Sequence, residues 1–130
     1  MHARALDAPA GAASTLKACY AAWTKGTWLL LTSIYATAER EGVKAPLREL
    51  WRDSHPELLQ RLAAPSANPA KAWRWISEME EIAATFEAAG QPGEFFLACA
   101  ELCRRLEHYK DHPGKPSIEQ VVAALQQERQ

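Results

Sequence analysis

The chain has 130 residues and a formal net charge of -1, from 15 basic and 16 acidic residues. This length suits one domain with one core and leaves no room for a dinucleotide-binding domain followed by a substrate domain. With 48% hydrophobic and 24% charged residues, the composition is that of a globular protein and excludes a disordered or collagen-like chain. The balanced charge, without a long run of one sign, argues against nucleic acid as a partner.

The cysteines indicate the compartment. Cys19, Cys99 and Cys103 form an odd set without a Cys-x-x-Cys pair and lie in helix-like segments, which predicts reduced thiols. The first ten residues lack the continuous apolar stretch of a secretory signal. We therefore expect a cytoplasmic protein.

The first long segment is predicted to form the dominant helix. Residues 1–11 lack helical periodicity and are interpreted as a linker, and the helical domain covers residues 12–130. The helix is expected from Ser14, a candidate N-cap, to Glu41, with Gly42 ending it. One apolar face follows steps of three and four residues: Leu16, Tyr20, Trp23, Thr27, Leu30, Ile34 and Ala38. A second, rotated stripe contains Trp28, Leu31 and Tyr35.

This segment also needs to be tested as a membrane span, because residues 18–38 are mostly apolar and nearly long enough to cross a bilayer. The ammonium group of Lys25 would cost about 2.5 to 3.5 kcal/mol in that position. Gly26 and several hydroxyl residues lower the mean hydropathy further. The sequence favours a helix that protein covers on nearly all sides, and no membrane is expected as a partner.

The remaining elements are also predicted to be helices. Two short helices follow Pro46 and Pro56, and a longer helix runs from Asn68 to Gly90. Two more helices are expected over residues 95–109 and 118–127, and Ser117 caps the last of them. Apolar stripes are expected on two of them: Trp75, Met79, Ile82 and Phe86 on one, and Phe96, Cys99, Cys103 and Leu106 on the other. The predicted fold is therefore all-α, with five or six helices around one long helix.

Few residues form a pattern that points to chemistry. His108 and His112 have metal-ligand spacing, but the glutamate of an HExxH motif is absent and Pro-Gly follows, so an exposed helix end is favoured. Cys99 and Cys103 share a face without further ligands nearby, and are read as small buried side chains. We expect no metal site. A cluster of glutamates is interpreted as mostly solvated surface: Glu78, Glu80, Glu81 and Glu87.

Lys17 is the strongest candidate for chemistry. The pattern places it in the first turn of the long helix, where a lone cation is unfavourable near the positive end of the helix dipole. A lysine whose ammonium form is disfavoured in this way suits proton transfer. From composition alone an ordinary surface lysine is favoured, because most lysines lie on the surface.

Two strings, GAASTLKACYAAWTKG and KAWRWISEMEEIAATFEAAG, resemble the helical C-terminal domain of the β-hydroxyacid dehydrogenase and 6-phosphogluconate dehydrogenase superfamily. The resemblance covers nearly the whole chain and is closest to a bacterial subgroup of NAD(P)-dependent dehydrogenases with a phosphogluconate-dehydrogenase-like C-terminal domain. It implies a helical bundle around one long central helix that binds a small hydroxy-acid substrate. Residues 1–11 then read as the end of a Rossmann domain. The two apolar stripes of the long helix predict a homodimer.

The resemblance also implies a cofactor that this chain does not bind by itself. The complete enzyme would use NAD or NADP, held by an N-terminal Rossmann domain with a GxGxxG fingerprint, and no such motif occurs here. No cofactor and no dehydrogenase activity are therefore expected for this chain alone.

In this resemblance Lys17 matches the catalytic lysine, the general acid/base for the substrate hydroxyl or carbonyl. The candidates for lining the substrate cleft are Ser14, Tyr20, Trp23, Lys71 and Arg74. Arg74 is the first choice for binding a carboxylate or phosphate, because a guanidinium group can form two parallel hydrogen bonds with either.

The chain departs from the family pattern at several matched positions. Tyr20 and Ala21 stand where the superfamily often has His-Asn or Asn-Asn, so the amide that helps to orient the substrate is absent. Thr24 stands where true 6-phosphogluconate dehydrogenases have their acid glutamate, which counts against 6-phosphogluconate as the substrate. Glu80 and Glu81 replace a Lys-Asp pair in which the lysine of many relatives approaches the cofactor.

Two other functions are considered beside the dehydrogenase domain. One is an autonomous helical interaction protein that has kept the fold and lost the reaction. The other is a metal or redox sensor that uses Cys99, Cys103 and His108, and it is the weaker of the two. Packing in a core or an interface is the alternative to a substrate role for Trp23 and Trp73.

Overall fold

The computed structural model describes residues 11–64 and 66–127. Within them the chain is helical and contains no strand, so the predicted all-α class is confirmed. The helices are α1 (Ala12–Arg40), α2 (Lys44–Ser54), α3 (Pro56–Ala63), α4 (Asn68–Ala88), α5 (Glu94–Arg104) and α6 (Ile118–Leu125), with a short 3-10 helix at Glu107–Tyr109. Apart from Gly11, the linker predicted over residues 1–11 lies outside the described residues.

Helix α1 begins three residues earlier than an N-cap at Ser14 implies, so the prediction of Ser14 as its N-cap is wrong. Gly11 is the N-cap, with φ at +89°, and its carbonyl accepts a hydrogen bond from the Thr15 amide at 3.0 Å. Glycine adopts this left-handed conformation without the steric cost that a Cβ brings. The earlier start moves Lys17 from the predicted first turn into the second turn of the helix.

The far end of α1 follows the sequence prediction. Gly42 has φ at +73°, and the Val43 amide donates a hydrogen bond to the Ala38 carbonyl at 2.8 Å. This arrangement satisfies carbonyls that the helix end leaves without an intrahelical partner. Gly90 has a φ of +83° just after α4, as its predicted role as a helix terminator requires.

The centre of the molecule is the contact between α4 and α5. Two predicted stripes meet there, and their buried members are Trp75, Met79, Ile82, Phe96, Cys99 and Cys103, with Leu106 just beyond α5. The rings of Phe86 and Phe96 lie 4.6 Å apart at one edge of this contact. Because both faces are narrow apolar stripes at helical spacing, the sequence alone was enough to find them.

Helix α1 buries a different face from the longer of its two predicted stripes. The side chains that face the other helices include Leu31 and Tyr35 of the second stripe, together with Leu29 and Thr32. The face expected from Leu16 to Ile34 is largely uncovered: Trp23 is 74% exposed and Tyr20 is 54% exposed. The reason is that the packed side carries small residues that let neighbouring helices approach, namely Ala21, Gly26 and Ala36.

Gly26 and Lys25 show how the middle of α1 is accommodated. A Cβ on Gly26 would lie 3.6 Å from ring atoms of Phe95 and Phe96, so α5 packs directly against this backbone. The Lys25 ammonium pairs with Glu78 of α4, which compensates the charge within the apolar segment. No helix in the described ranges combines the length and hydropathy needed to cross a membrane.

The last helix is fixed by the predicted cap. The Gln120 amide donates to the Ser117 hydroxyl at 3.2 Å, and the Ser117 amide donates to the Gln120 side chain at 2.9 Å. This reciprocal pair is a capping box, which satisfies two amides at the start of α6. The helix expected over residues 95–109 ends at Arg104, and the 3-10 helix follows.

Candidate functional site

Lys17 lines a surface concavity of about 140 Å³ between the start of α1 and the second half of α4. Helix α1 contributes Ser14, Lys17 and Ala18. Helix α4 contributes Glu78, Glu81, Ile82 and Thr85. We call this concavity the lysine pocket. It combines one ammonium group, two carboxylates and two hydroxyls around a small apolar surface.

The charges in the lysine pocket are not equivalent. Glu78 is already paired with Lys25, whose ammonium also lies 5.2 Å from the centre of the Trp75 ring. Lys17 and Glu81 are both exposed, and no ion pair joins either of them to a described side chain. One cation and one anion therefore face the solvent from opposite helices and are available to a polar ligand.

Sequence reasoning missed the two carboxylates of the lysine pocket. Glu78 and Glu81 were assigned to solvated surface because successive glutamates on a helix point in different directions. The spacing of the α4 residues was nevertheless informative. Positions 78, 81, 82 and 85 follow the i, i+3, i+4, i+7 pattern of a single helix face. Four residues on one face, two of them acidic, were the available signal.

The structure brings together only two of the six residues proposed from the sequence, Ser14 and Lys17. The other four do not line the lysine pocket. Tyr20 and Trp23 lie on the exposed face of α1, and Lys71 and Arg74 are exposed near the start of α4. The Arg74 guanidinium carbon lies 5.6 Å from the centre of the Trp73 ring.

A second concavity, of about 340 Å³, lies on the other side of α1 and is apolar. We call it the apolar groove. Its lining from α1 includes Cys19, Trp23, Gly26, Thr27 and Leu30, and its far wall consists of the phenyl rings of Phe86, Phe95 and Phe96. The groove offers few polar groups for orienting a small substrate, so its chemistry favours an apolar partner.

The histidines and cysteines that the structure describes do not assemble into a metal site. In the described part of the chain, no three His, Cys, Asp or Glu side chains come close enough together to hold an ion. The rings of His108 and His112 both pack against Tyr109, with centroids 4.1 and 5.7 Å away. Burial raises the pKa of Cys99 to about 11 and that of Cys103 to about 12, so both thiols stay protonated at neutral pH.

We expect these thiols to differ sharply in reactivity. Cys19 is exposed, whereas Cys99 and Cys103 are buried, and thiolates are the reactive species. At pH 8, in solution dilute enough for the chain to be monomeric, Ellman's reagent is expected to modify one thiol per native chain within minutes and all three after denaturation in guanidinium chloride. The variant Cys19→Ser is the matched control and is expected to show no fast phase. Rapid modification of two or three thiols in the native protein would contradict the burial of Cys99 and Cys103.

Part of the chain matches a known family model. A family model described as a domain of unknown function, DUF1932, matches residues 38–106, which is more than half of the chain. The matched range contains Glu78 and Glu81 of the lysine pocket and ends before α6, while Lys17 precedes it. No curated protein and no solved structure gives a significant match. The chain thus belongs to the DUF1932 family, a domain found at the C-terminus of 6-phosphogluconate dehydrogenase-like NAD(P)-binding proteins.

Proposed function

We propose that the chain is the substrate-binding and dimerisation domain of a cytoplasmic, NAD(P)-dependent hydroxy-acid dehydrogenase. The observation that carries this proposal is the lysine pocket, in which Lys17 and Glu81 face the solvent from two helices. The family supports it, because this domain occurs at the C-terminus of NAD(P)-binding proteins. The three unpaired cysteines are consistent with a reducing compartment.

The described residues do not fit a dinucleotide. Binding of NAD or NADP in this class of protein uses a glycine-rich turn between a strand and a helix, with the pyrophosphate at the helix N-terminus. The described ranges contain no strand, and the sequence has no GxGxxG motif. The proposal therefore assigns cofactor binding to a separate Rossmann domain and gives this chain only the substrate side of the site.

The chain's own contribution is proton transfer at the substrate oxygen. Lys17 accepts the proton of a substrate hydroxyl as an amine, or donates a proton to a carbonyl oxygen as an ammonium. The Ser14 hydroxyl lies one helical turn before Lys17 and is placed to bind a second polar group of the substrate. A covering domain would exclude water from the open side of the pocket and strengthen these interactions.

Glu81 narrows the class of substrate that the lysine pocket accepts. Its carboxylate lines the same concavity as Lys17, so a dianionic substrate such as a phosphorylated sugar acid would meet repulsion as well as attraction. A hydroxy acid with a single carboxylate suits this mixed environment better. Thr24, at the position of the acid glutamate of 6-phosphogluconate dehydrogenases, likewise counts against a phosphorylated sugar acid.

A second candidate function is an autonomous interaction protein that has kept the fold and lost the reaction. The observation in its favour is the uncovered apolar face of α1, which is wide enough to receive another protein. The two functions differ in what they require of Lys17. A dehydrogenase domain needs its amine for turnover, and an interaction protein does not.

The purified 130-residue chain is expected to show no dehydrogenase activity, because its sequence lacks a GxGxxG motif and its described residues offer no site for the cofactor. The test is a spectrophotometric assay at 340 nm with NAD or NADP and a set of small hydroxy acids. A two-domain protein that joins this chain to a family Rossmann domain serves as the positive comparison and is expected to turn over at least one substrate. Turnover by the isolated chain would contradict the assignment of cofactor binding to a separate Rossmann domain.

A further inference from the structure

The uncovered face of α1 has the pattern of a helix-pairing surface. Its positions follow alternating steps of four and three residues, the heptad spacing of a coiled coil, over about 27 Å of helix. We call this set the seam, and it consists of Leu16, Tyr20, Trp23, Thr27, Leu30 and Ile34. Thr27 is half-buried and the other five are exposed. None of the six carries a charge, which is typical of the centre of an interface.

We infer that two copies of the chain pair through the seam, with the two α1 helices antiparallel about a twofold axis. This pairing rests on the homodimer in the proposed function. It adds the surface through which the two copies meet and the residues that face each other there. Leu16 then lies opposite Ile34 of the second copy, and Tyr20 opposite Leu30. Trp23 lies opposite Thr27 and enters the apolar groove of the second copy.

The size of the seam side chains selects the antiparallel direction. In the antiparallel register each large aromatic residue meets a smaller one, and the most exposed side chain, Trp23, meets the smallest, Thr27. A parallel pair would place each residue against its own copy. The two copies of Trp23 would then clash with each other, and the two copies of Thr27 would leave a gap between the helices. Well-packed interfaces have neither overcrowded positions nor such gaps.

The apolar groove is in the right place to receive the indole ring. It adjoins the middle of the seam, where Gly26 has no side chain and Thr27 has a short one. Its other wall is made of phenyl rings, which favour edge or offset contacts with another aromatic ring. Each copy therefore presents both the projecting tryptophan and the recess, as a twofold interface requires.

The uncovered area is large enough for a stable pair. Leu16, Leu30 and Ile34 are 45%, 43% and 39% exposed, in addition to the two aromatic residues. An aromatic side chain has a surface of about 150–250 Å². The exposed fractions of the seam residues, together with the rim of the apolar groove, give roughly 600 Å² of uncovered apolar surface per copy. Two copies would bury about 1,200 Å², the lower end of specific interfaces, whereas an uncovered patch of that size is near the upper limit for a monomer.

Sedimentation equilibrium of the 130-residue chain tests the pairing. The expected result is a dimer whose dissociation constant rises about a hundredfold in Trp23→Ala, because two copies of a central aromatic side chain are lost. Leu50→Ala is the matched control: Leu50 is 68% exposed on α2, away from the seam, and its replacement is expected to leave the dimer unchanged. Circular dichroism establishes that each variant is folded. A monomeric parent chain, or a dimer unaffected by Trp23→Ala, would overturn the inference.

Disulfide trapping tests the direction. In a Cys19→Ser background, Tyr20→Cys and Leu30→Cys chains are mixed and oxidised, with Cys99 and Cys103 protected by burial. The antiparallel register predicts a covalent dimer in the mixture and little in either variant alone. Covalent dimers in each variant alone would establish a parallel pair instead. These outcomes are independent of the catalytic assignment, since a monomer with Lys17-dependent turnover in the two-domain protein would refute only the pairing.

Discussion

Replacing Lys17 by alanine in the two-domain protein is expected to lower kcat by about 10²- to 10⁴-fold, the usual contribution of a positioned general acid or base. The ammonium or amine at this position is the proposed donor or acceptor of the proton on the substrate oxygen. Its loss acts in the transition state, so KM is expected to change much less than kcat. The measurement is steady-state kinetics at 340 nm with whichever hydroxy acid the parent protein oxidises.

Two control variants separate proton transfer from charge. Lys17→Arg keeps a cation in the lysine pocket but cannot give up its proton near neutral pH, so it is expected to remain as slow as Lys17→Ala. Lys115→Ala removes an exposed lysine of the segment between the 3-10 helix and α6, which does not line the pocket, and is expected to leave kcat unchanged. Full activity of Lys17→Ala would contradict the catalytic assignment and favour the interaction protein.

The fold was predictable where a helix has one apolar stripe and a clear terminator. The buried faces of α4 and α5 follow directly from their spacing, and Gly42 and Gly90 end their helices through the left-handed conformation that glycine tolerates. The cap at Ser117 was equally readable, because its partner Gln120 lies three residues later. Each of these features depends on interactions within a short stretch of chain.

The packing of α1 was not predictable in the same way. Two apolar stripes are present, and periodicity does not say which one the rest of the molecule covers. The buried face of α1 is the one on which α4, α5 and α6 pack. They approach α1 where Ala21, Gly26 and Ala36 leave space. Hydrophobic periodicity identifies both stripes but takes no account of the small residues that decide the packing.

The candidate site was predictable only in part for a related reason. Lys17 was found through the resemblance of its surrounding string, although the true start of α1 at Ala12 moves it out of the first turn. Glu78 and Glu81 reach the lysine pocket through tertiary packing of α4 on α1, some 60 residues further along the chain. A resemblance of local strings carries no information on such a contact, because it compares residues within one stretch of chain and not side chains that meet across two packed helices.

The same ambiguity in α1 gives the sharpest prediction about stability, a comparison of two neighbouring leucines. Leu29 is fully buried, and Leu29→Ala is expected to lower the free energy of unfolding by about 2–5 kcal/mol, through lost burial and the cavity left behind. Leu30 is 43% exposed, and Leu30→Ala is expected to lower it by less than about 1 kcal/mol in the monomer. Urea denaturation followed by circular dichroism, at concentrations where the chain is monomeric, measures both.

This pair isolates burial because everything else is matched. Both substitutions remove the same atoms from the same helix and gain the same small helix propensity, so those contributions cancel in the difference. A typical domain is stable by about 5–15 kcal/mol, so Leu29→Ala removes a large fraction of the total. Equal losses at the two positions would mean that the seam is already covered within a single chain. A larger loss for Leu30→Ala would mean that α1 is rotated from the orientation described above, and the antiparallel pairing would then lose its surface.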